Sequence, residues 1–305
     1  MRITEWEKTV LLDRETIKSF LPKRKRDTHK GDYGKAAIVA GSMEYTGAAY
    51  LSTAACLRSG AGYTVLFTPE KILPYYVLKA PEALLVPLND GGRVAFNKEN
   101  FQKLLSYTSI AYGMGVGKSA DVAKGAEYLI KSYTGKLLLD ADALNSLAEY
   151  SNLDKVFSEC ACEILLTPHV KEFSRLCKKS VEEIISDPIA AAVAFAKKHR
   201  VSVLLKSATS IITDGERIAV NTAGTAGQAK AGSGDVLSGT AAGLCACGLS
   251  VFESGCAAAY LTGKAAELAV KETGEYSLLP TDVIDKLGKA FLYATENTDS
   301  QSAQE

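Results

Sequence analysis

The chain has 305 residues, with 35 basic and 35 acidic side chains, so its formal net charge at pH 7 is zero. Hydrophobic residues make up 47% and charged residues 23%, which excludes a disordered chain and is ordinary for a globular protein with a sizeable core. The balanced charge argues against nonspecific binding to nucleic acid, which depends on a basic surface.

The two ends of the chain differ in composition from the rest. Residues 1–28 are charged and lack a continuous apolar stretch, so they predict a helical arm and a polar connector instead of a signal peptide. Residues 296–305 are polar and predict a flexible tail.

The longest uncharged stretch, residues 236–252, contains Gly, Ser and Thr and indicates a buried helix instead of a membrane span. We therefore expect a cytoplasmic protein without membrane contact.

Apolar segments of strand length alternate with helical patterns along the chain. The predicted strands are residues 36–40, 63–67, 83–88, 109–112, 136–140, 163–167 and 202–206. The predicted helices between them are residues 47–59, 120–131 and 188–199. Several of the strands are nearly continuous apolar runs, which is typical of a parallel sheet that is covered on both faces.

The order of elements changes late in the chain. Segments 209–213 and 217–221 flank Asp214-Gly215, a strong hairpin signal, and two alanine-rich helical patterns follow at 233–247 and 253–271. The fold class predicted is therefore α/β: a three-layer α/β/α sandwich with a mostly parallel central sheet and an antiparallel strand pair at one edge. Since no Pro, Gly or Ser linker divides it, residues 29–295 are predicted to form one domain.

The seven cysteines follow no zinc-like spacing, and the chain has only three histidines. This combination makes a Cys/His metal site the weaker interpretation. The cysteines are instead predicted to be small buried side chains in a reducing cytoplasm.

Ligands of open α/β sheets bind beyond the carboxyl ends of the strands. Small or polar residues follow five of the predicted strands, at positions 41–42, 113–117, 141–145, 168–173 and 207–209. We expect these segments to meet at one edge of the sheet and to form a ligand site there.

The sharpest signal is NTAGTAGQAKAGSGDVLSG, residues 221–239, which follows a strand and runs into a helix. Gly232 and Gly234 allow a tight turn and close approach to a ligand, and the N–H groups at the start of a helix favour an anion. Asp235 either balances the dipole of its own helix or acts as a general base for a hydroxyl that attacks phosphorus. The surrounding loops favour the base. Neither the dinucleotide fingerprint nor the Walker pattern fits the chain.

Several motifs occur in a fixed order from residue 29 to residue 291. They are HKGDYG, GSMEYTGAAYLSTAACLRSGAGYTVL, LLDADALN, LTPHVKEFSRL, LLKSATSIITDG, AKAGSGDVLSGTAAGLCACG and PTDVI. Together they resemble the ADP- or ATP-dependent NAD(P)H-hydrate dehydratases, a family with a ribokinase-like fold that repairs hydrated NADH and NADPH. Many relatives have Thr where this chain has Ser233, and the hydroxyl is kept.

The resemblance implies roles for individual residues. Asp235 would be the catalytic base, and Gly232, Ser233 and Gly234 would form the anion hole for the transferred phosphoryl group. The adenine nucleotide would be held by Gly234 and by Lys206, Ser207, Ala208, Thr209 and Ser210. The hydrate pocket would be lined by Ala48, Gly115, His169 and Asp235. Asn145 and Glu172 would support these groups.

The resemblance also implies the reaction and the partners. The ring hydroxyl of the S epimer of NAD(P)H hydrate would be phosphorylated by ADP, or by ATP, and loss of phosphate would regenerate NAD(P)H. Mg²⁺ would accompany the nucleotide phosphates without a dedicated metal site in the chain. A separate epimerase would supply the S epimer, and we expect a homo-oligomer with a tetramer as the candidate form.

Two other functions are compatible with the same residues. A small-molecule kinase of the ribokinase superfamily would use the same aspartate and anion hole but would release a phosphorylated product. A catalytically idle nucleotide sensor would bind nucleotide without turnover. The LTPHVKEF and HKGDYG motifs disfavour the kinase, and the intact AKAGSGD disfavours the sensor.

Overall fold

The computed structural model describes residues 9–89 and 91–296. Its sheet has ten strands in the order β1-β10-β9-β8-β7-β6-β5-β2-β3-β4. The strands are β1 (Thr9–Leu11), β2 (Lys35–Val39), β3 (Tyr63–Thr68), β4 (Leu84–Pro87), β5 (Ser109–Tyr112), β6 (Lys136–Leu139), β7 (Glu163–Leu166), β8 (Ser202–Leu205), β9 (Ser210–Thr213) and β10 (Ile218–Asn221).

Twelve α-helices cover the sheet within the described ranges. They are α1 (Arg14–Phe20), α2 (Thr46–Leu57), α3 (Lys98–Leu104), α4 (Ala120–Ser132), α5 (Ala141–Leu147), α6 (Leu153–Ser158), α7 (Val170–Cys177), α8 (Val181–Ser186), α9 (Pro188–His199), α10 (Ser233–Ala246), α11 (Val251–Ser277) and α12 (Pro280–Thr295).

Both faces of the sheet are buried, as the apolar runs predict. Successive side chains of a strand point to opposite faces. Ala36 and Ile38 of β2 belong to a core shared with α1, α2, α10, α11 and α12, while Ala37 and Val39 belong to a second core shared with α3 to α9. The three-layer α/β/α sandwich is therefore confirmed.

In the order of the sheet, all strands from β4 across to β8 run parallel. The predicted hairpin follows beside β8. β9 pairs antiparallel with β8 and with β10. The turn contains Gly215, whose φ of +94° lies in the left-handed region that glycine adopts freely. The antiparallel pair is thus confirmed, and it lies one strand in from the edge.

The edge strand is β1, where the sequence predicted only a helical arm. That prediction is wrong for residues 9–11, because Thr9, Val10 and Leu11 pair in parallel with residues 218–220 of β10. A three-residue strand is too short to show a period, and its pairing comes from the open edge of β10. The predicted helix is present as α1, Arg14–Phe20. Residues 1–8 and 297–305, which include nearly all of the predicted tail, lie outside the described residues.

The cysteines are all free thiols, but the prediction that they are buried is only partly right. Cys56, Cys245 and Cys256 are buried, whereas the other four, Cys160, Cys162, Cys177 and Cys247, are partly exposed. Across residues 9–89 and 91–296, none of the helices combines the length and apolarity that crossing a membrane requires.

Candidate functional site

The carboxyl ends of three neighbouring strands open into a cavity of about 870 Å³. Asp140 follows β6, His169 follows β7 and Lys206 follows β8, and all three line the cavity. Residues 232–235, where α10 begins, form part of the wall. Because β6, β7 and β8 are adjacent and parallel, residues that are far apart in sequence meet at one edge.

Asp140 is the centre of the polar network in this cavity, and the sequence analysis did not assign it a role. It is 1% exposed and accepts hydrogen bonds from the Lys206 ammonium (2.8 Å), the Ser238 hydroxyl (2.7 Å) and the backbone N–H of Ala141 (2.8 Å). A buried carboxylate needs such partners to remain charged. The available signal was its position directly after the apolar strand KLLL.

Lys206 places a positive charge on the cavity wall beside Asp140. Burial alone would lower the pKa of its ammonium group, but the carboxylates of Asp140 and Glu172 outweigh this effect, so the pKa is raised. The side chain is 20% exposed, so its charge is available to a ligand.

The start of α10 has the geometry of an anion site. Gly232 has a φ of +97°, and a Cβ atom there would lie 2.6 Å from Leu51 Cδ1, so both conformation and space require glycine. Gly232 provides no side-chain cap, and among the described residues no acceptor pairs with the N–H groups of Gly234 and Asp235. A Cβ on Gly234 would lie 3.4 Å from the Lys206 ammonium. The N–H groups of Gly234 and Asp235 and the Lys206 ammonium therefore lie close together at the start of α10.

Asp235 is a carboxyl group with a strongly perturbed acidity. Burial, reinforced by the negative charges of Asp140 and Asp142 and opposed by Lys206, raises its pKa from 3.8 to about 7. A base works best when its pKa is close to the working pH. Asp235 can therefore hold or release a proton at neutral pH, beside an anion site.

His169, Glu172 and Asn145 form a connected group at the start of α7. His169 Nδ1 accepts the N–H groups of Lys171 (3.1 Å) and Glu172 (3.3 Å), while Glu172 Oε2 accepts the His169 N–H (2.9 Å). Asn145 Nδ2 lies 3.5 Å from Glu172 Oε1, and Arg175 donates to Asn145 Oδ1 at 2.7 Å. This capping box places His169 and Glu172 on the cavity wall.

The predicted nucleotide loop mostly lines the cavity. Lys206, Ser207, Ala208 and Ser210 are in the wall, whereas Thr209 is not, and its carbonyl accepts the Ser207 hydroxyl. The facing wall contains residues 223–226 and 228–231, which belong to the glycine-rich segment that the sequence singled out. Asn221, Leu237, Ala259 and Thr262 complete it, and no sequence signal pointed to the last two.

Ala48 and Gly115 lie at the same edge of the sheet but do not line this cavity. They contact each other closely, since a Cβ on Gly115 would lie 2.7 Å from the Cβ of Ala48. The adjoining Gly117 donates its N–H to Asp142 at 2.8 Å, and Asp142 contributes to the raised pKa of Asp235. The structure thus groups His169 with Asp235, and Ala48 with Gly115, as two neighbouring parts of the edge.

The described residues contain no group of three or more His, Cys, Asp or Glu side chains that could hold a metal ion. Two carboxylates of the cavity are already hydrogen-bonded, Asp140 by Lys206 and Ser238, and Glu172 by the backbone N–H of His169. This donor set fits Mg²⁺ that is bound mainly by phosphate oxygens and water.

Comparison with protein families gives a match over most of the chain. A family model described as NAD(P)H-hydrate dehydratase matches residues 36–289. The ADP-dependent (S)-NAD(P)H-hydrate dehydratase of Cenarchaeum symbiosum is 33% identical over 87% of this chain and 91% of its own length. The bifunctional NAD(P)H-hydrate repair enzyme Nnr of Thermofilum pendens is 36% identical over 92% of this chain. The chain spans 54% of that relative, or about half the length of the bifunctional relatives it matches.

A solved structure shows the same fold. The ADP/ATP-dependent NAD(P)H-hydrate dehydratase from Bacillus subtilis, co-crystallised with ATP and Mg²⁺, is 28% identical with a TM-score of 0.82. The alignment covers 93% of this chain and 98% of the Bacillus chain.

Proposed function

Because the chain belongs to the NAD(P)H-hydrate dehydratase family, we propose that it dehydrates the S epimer of hydrated NADH and NADPH with ADP or ATP as phosphoryl donor. The observation that carries the proposal is the carboxyl group of Asp235, with a pKa near 7, beside two free backbone N–H groups and the Lys206 ammonium. This combination provides a base and an anion site within one cavity.

The first step is proton removal from the hydrate. The Asp235 carboxylate takes the proton from the ring hydroxyl, whose oxygen then attacks the terminal phosphorus of the nucleotide. The bond from that phosphorus to the bridging oxygen breaks, so AMP leaves when ADP is the donor and ADP leaves when ATP is the donor. A positioned base contributes roughly 10²–10⁴-fold to such a step. The raised pKa makes this carboxylate a stronger proton acceptor than an ordinary aspartate.

During its transfer, the phosphoryl group is held by the start of α10. The N–H groups of Gly234 and Asp235 donate to its oxygens, and Lys206 balances the remaining charge. This differs from the expected set of Gly232, Ser233 and Gly234, because the Ser233 N–H donates to the Lys230 carbonyl oxygen at 3.3 Å. Preorganised donors of this kind are commonly the largest contribution to catalysis. The ion pair with Asp140 and the glycine backbone hold these donors in place before the nucleotide arrives.

The phosphorylated hydrate then loses phosphate. The lone pair of the ring nitrogen expels the phosphate, because phosphate is a far better leaving group than hydroxide. Loss of a proton from the neighbouring ring carbon then restores the double bond of NAD(P)H. The result is an overall dehydration, which distinguishes this reaction from that of a kinase. The family match supports the dehydratase over the kinase alternative.

The two ligands approach the start of α10 from different sides. The nucleotide occupies the cavity between the Lys206–Ser210 loop and residues 223–231, where about 870 Å³ is available. The hydrate lies between His169, Asp235 and the neighbouring Ala48 and Gly115, with Asn145 and Glu172 supporting His169. The common edge and the close contact between Ala48 and Gly115 support this division.

Mg²⁺, when bound with the nucleotide, would neutralise phosphate charge. Beside the proposed base Asp235, the carboxylates of the wall are Asp140 and Glu172, and these two would hold the ion directly or through water. ADP is the preferred donor in our proposal, as in the name of the Cenarchaeum relative.

The seven free thiols support a reducing cytoplasm as the place of action. An epimerase converts the other epimer, and the bifunctional relatives support such a pairing of two activities.

A homo-oligomer is also part of the proposal, with a tetramer as the candidate form. Exposed apolar side chains gather at the β4 edge of the sheet: Tyr75, Val77, Leu78 and Leu84 are 53–89% exposed. Such patches beside an edge strand are typical of interfaces. Light scattering should give a multiple of the 32.4 kDa chain mass, and Leu78→Asp should lower it. A wild-type monomer at micromolar concentration would contradict this part.

The function is tested with purified protein, NADH hydrate and Mg²⁺, with ADP and ATP compared as donors. We expect recovery of the NADH absorbance band, with release of phosphate in equal amount and faster turnover with ADP. A stable phosphorylated product without NADH would favour the kinase, and nucleotide binding without any product would favour the sensor. Asp285→Asn, at an exposed position of α12, is the control for Asp235→Asn.

A further inference from the structure

Two cysteines lie in contact at the end of the sheet opposite the cavity. The sulfur atoms of Cys160 and Cys162 are 3.8 Å apart, and both residues are partly exposed. The Cys160 sulfur also lies 3.1 Å from the carbonyl oxygen of Cys162, so its side chain is folded back over that residue. Among the described residues, no other pair of cysteine sulfurs makes such a contact.

Both cysteines lie outside the helices and strands. Cys160 and Cys162 lie in the connection between α6, which ends at Ser158, and β7, which begins at Glu163. The register of β7 with β6 starts at Glu163, so neither cysteine belongs to the sheet. Shortening the sulfur–sulfur distance to the ~2.05 Å of a disulfide therefore requires side-chain rotation and local adjustment of a turn.

The environment favours reaction at Cys160. The Cys160 and Cys162 sulfurs share a hydrogen bond, and this contact lowers the pKa of Cys160 despite partial burial. For Cys162, the same contact and burial raise the pKa. The thiolate is the nucleophilic form of cysteine, so Cys160 is the attacking sulfur and Cys162 the neighbouring thiol.

We propose that Cys160 and Cys162 form a site of reversible oxidation by hydroperoxides, which joins them in a disulfide. The Cys160 thiolate attacks one oxygen of hydrogen peroxide, hydroxide leaves, and a sulfenic acid forms. The Cys162 sulfur then attacks the Cys160 sulfur, the sulfenic oxygen leaves as water, and the sulfur–sulfur bond closes. The two sulfurs lose two electrons, and the peroxide is reduced to water. A small dithiol or a cellular thiol reductant reverses the step by exchange.

This site is separate from the proposed dehydratase chemistry. Cys162 precedes β7, whereas Thr167, Pro168 and His169 follow the other end of the same strand. Substitution of either cysteine should therefore leave the dehydratase activity unchanged. The site stands whether or not the proposed function is correct, since its test reads the mass of the protein.

The experiment treats the reduced full-length protein with hydrogen peroxide and follows intact mass and peptide maps. We expect loss of two hydrogen atoms, a disulfide between Cys160 and Cys162, and full reversal by dithiothreitol. Cys160→Ser should abolish this loss. Cys162→Ser should stop at a sulfenic acid on Cys160, which a dimedone probe captures. Cys177→Ser, which removes a partly exposed cysteine without a sulfur neighbour, should behave as wild type.

Three results would overturn the proposal: an unchanged mass under peroxide, oxidation of Cys177 before Cys160, or a disulfide that joins other cysteines. Circular dichroism of each variant shows whether it is folded. If Cys160→Ser does not fold, the dimedone adduct on Cys162→Ser and the peptide map of the wild type decide the question.

Discussion

Lys206 and Asp140 form an ion pair of 2.8 Å directly beside the start of α10, although 66 residues separate them in the chain. Asp140 is almost fully buried, and Lys206 keeps a fifth of its side chain exposed. One carboxylate therefore holds the cation of the anion site and also raises the pKa of the proposed base, Asp235.

The pH dependence of turnover should show an acid limb near neutrality. Asp235 must lose its proton to act as a base, and its pKa is raised to about 7. Activity should therefore rise as the pH increases through this value and fall below it. A profile of kcat/KM from pH 5 to pH 9 measures the limb in the free enzyme. A limb near pH 4 would show that the base is an ordinary exposed carboxyl group.

Asp140→Asn should move this limb to lower pH. The substitution removes a negative charge that raises the pKa of Asp235 and frees Lys206, whose positive charge lowers it, so both effects have the same sign. It should also reduce the free energy of unfolding by about 1–3 kcal/mol, because Lys206 and Ser238 lose a charged partner. Ser238→Ala, which removes one hydrogen bond and no charge, is the matched control. An unchanged limb in Asp140→Asn would contradict the electrostatic account.

Gly232→Ala should weaken nucleotide binding at least about tenfold and lower stability by about 1–3 kcal/mol. A Cβ there meets Leu51 at 2.6 Å and Pro280 at 3.0 Å, and the φ of +97° is strained for alanine. Gly248→Ala has a similar φ of +107° but open space, so it isolates backbone strain from crowding. Titration calorimetry and thermal unfolding give both quantities. If the two variants bind nucleotide equally well, the shape of the α10 start is not important for binding.

His169 should have two separable roles. His169→Ala removes the side-chain acceptor at the start of α7 and should cost about 1 kcal/mol of stability. His169→Asn keeps a capping acceptor and should restore most of that stability, while the KM for the hydrate stays raised. Recovery of both stability and KM in His169→Asn would mean that the residue only caps the helix.

The sheet could be predicted from sequence because its strands carry their own signal. β6 and β7 are apolar runs buried on both faces, and the predicted strands and hairpin all occur in the predicted chain order. Several short helices, among them α5 and α6 between β6 and β7, were not predicted. β1 could not be predicted, since Val10 and Leu11 are about half exposed and their pairing depends on a strand more than 200 residues away. Short edge strands have no pattern of their own.

The site could be predicted in part for a similar reason. The glycines and Asp235 form one continuous segment, so their chemistry is visible in the sequence. The pairing of Asp140 with Lys206 and Ser238 arises only when β6, β8 and α10 come together. The placement of Ala48 and Gly115 outside the cavity is likewise a matter of packing between α2 and the loop after β5.

The central claim is that Asp235 is the base for phosphoryl transfer, and Asp235→Asn tests it most directly. The substitution keeps the shape of the side chain and removes its ability to accept the proton. Turnover of NADH hydrate with ADP and Mg²⁺ should fall at least ~100-fold, while the Kd for nucleotide stays within a few-fold of wild type and Asp285→Asn remains fully active. Turnover of Asp235→Asn close to that of the wild type would contradict the account.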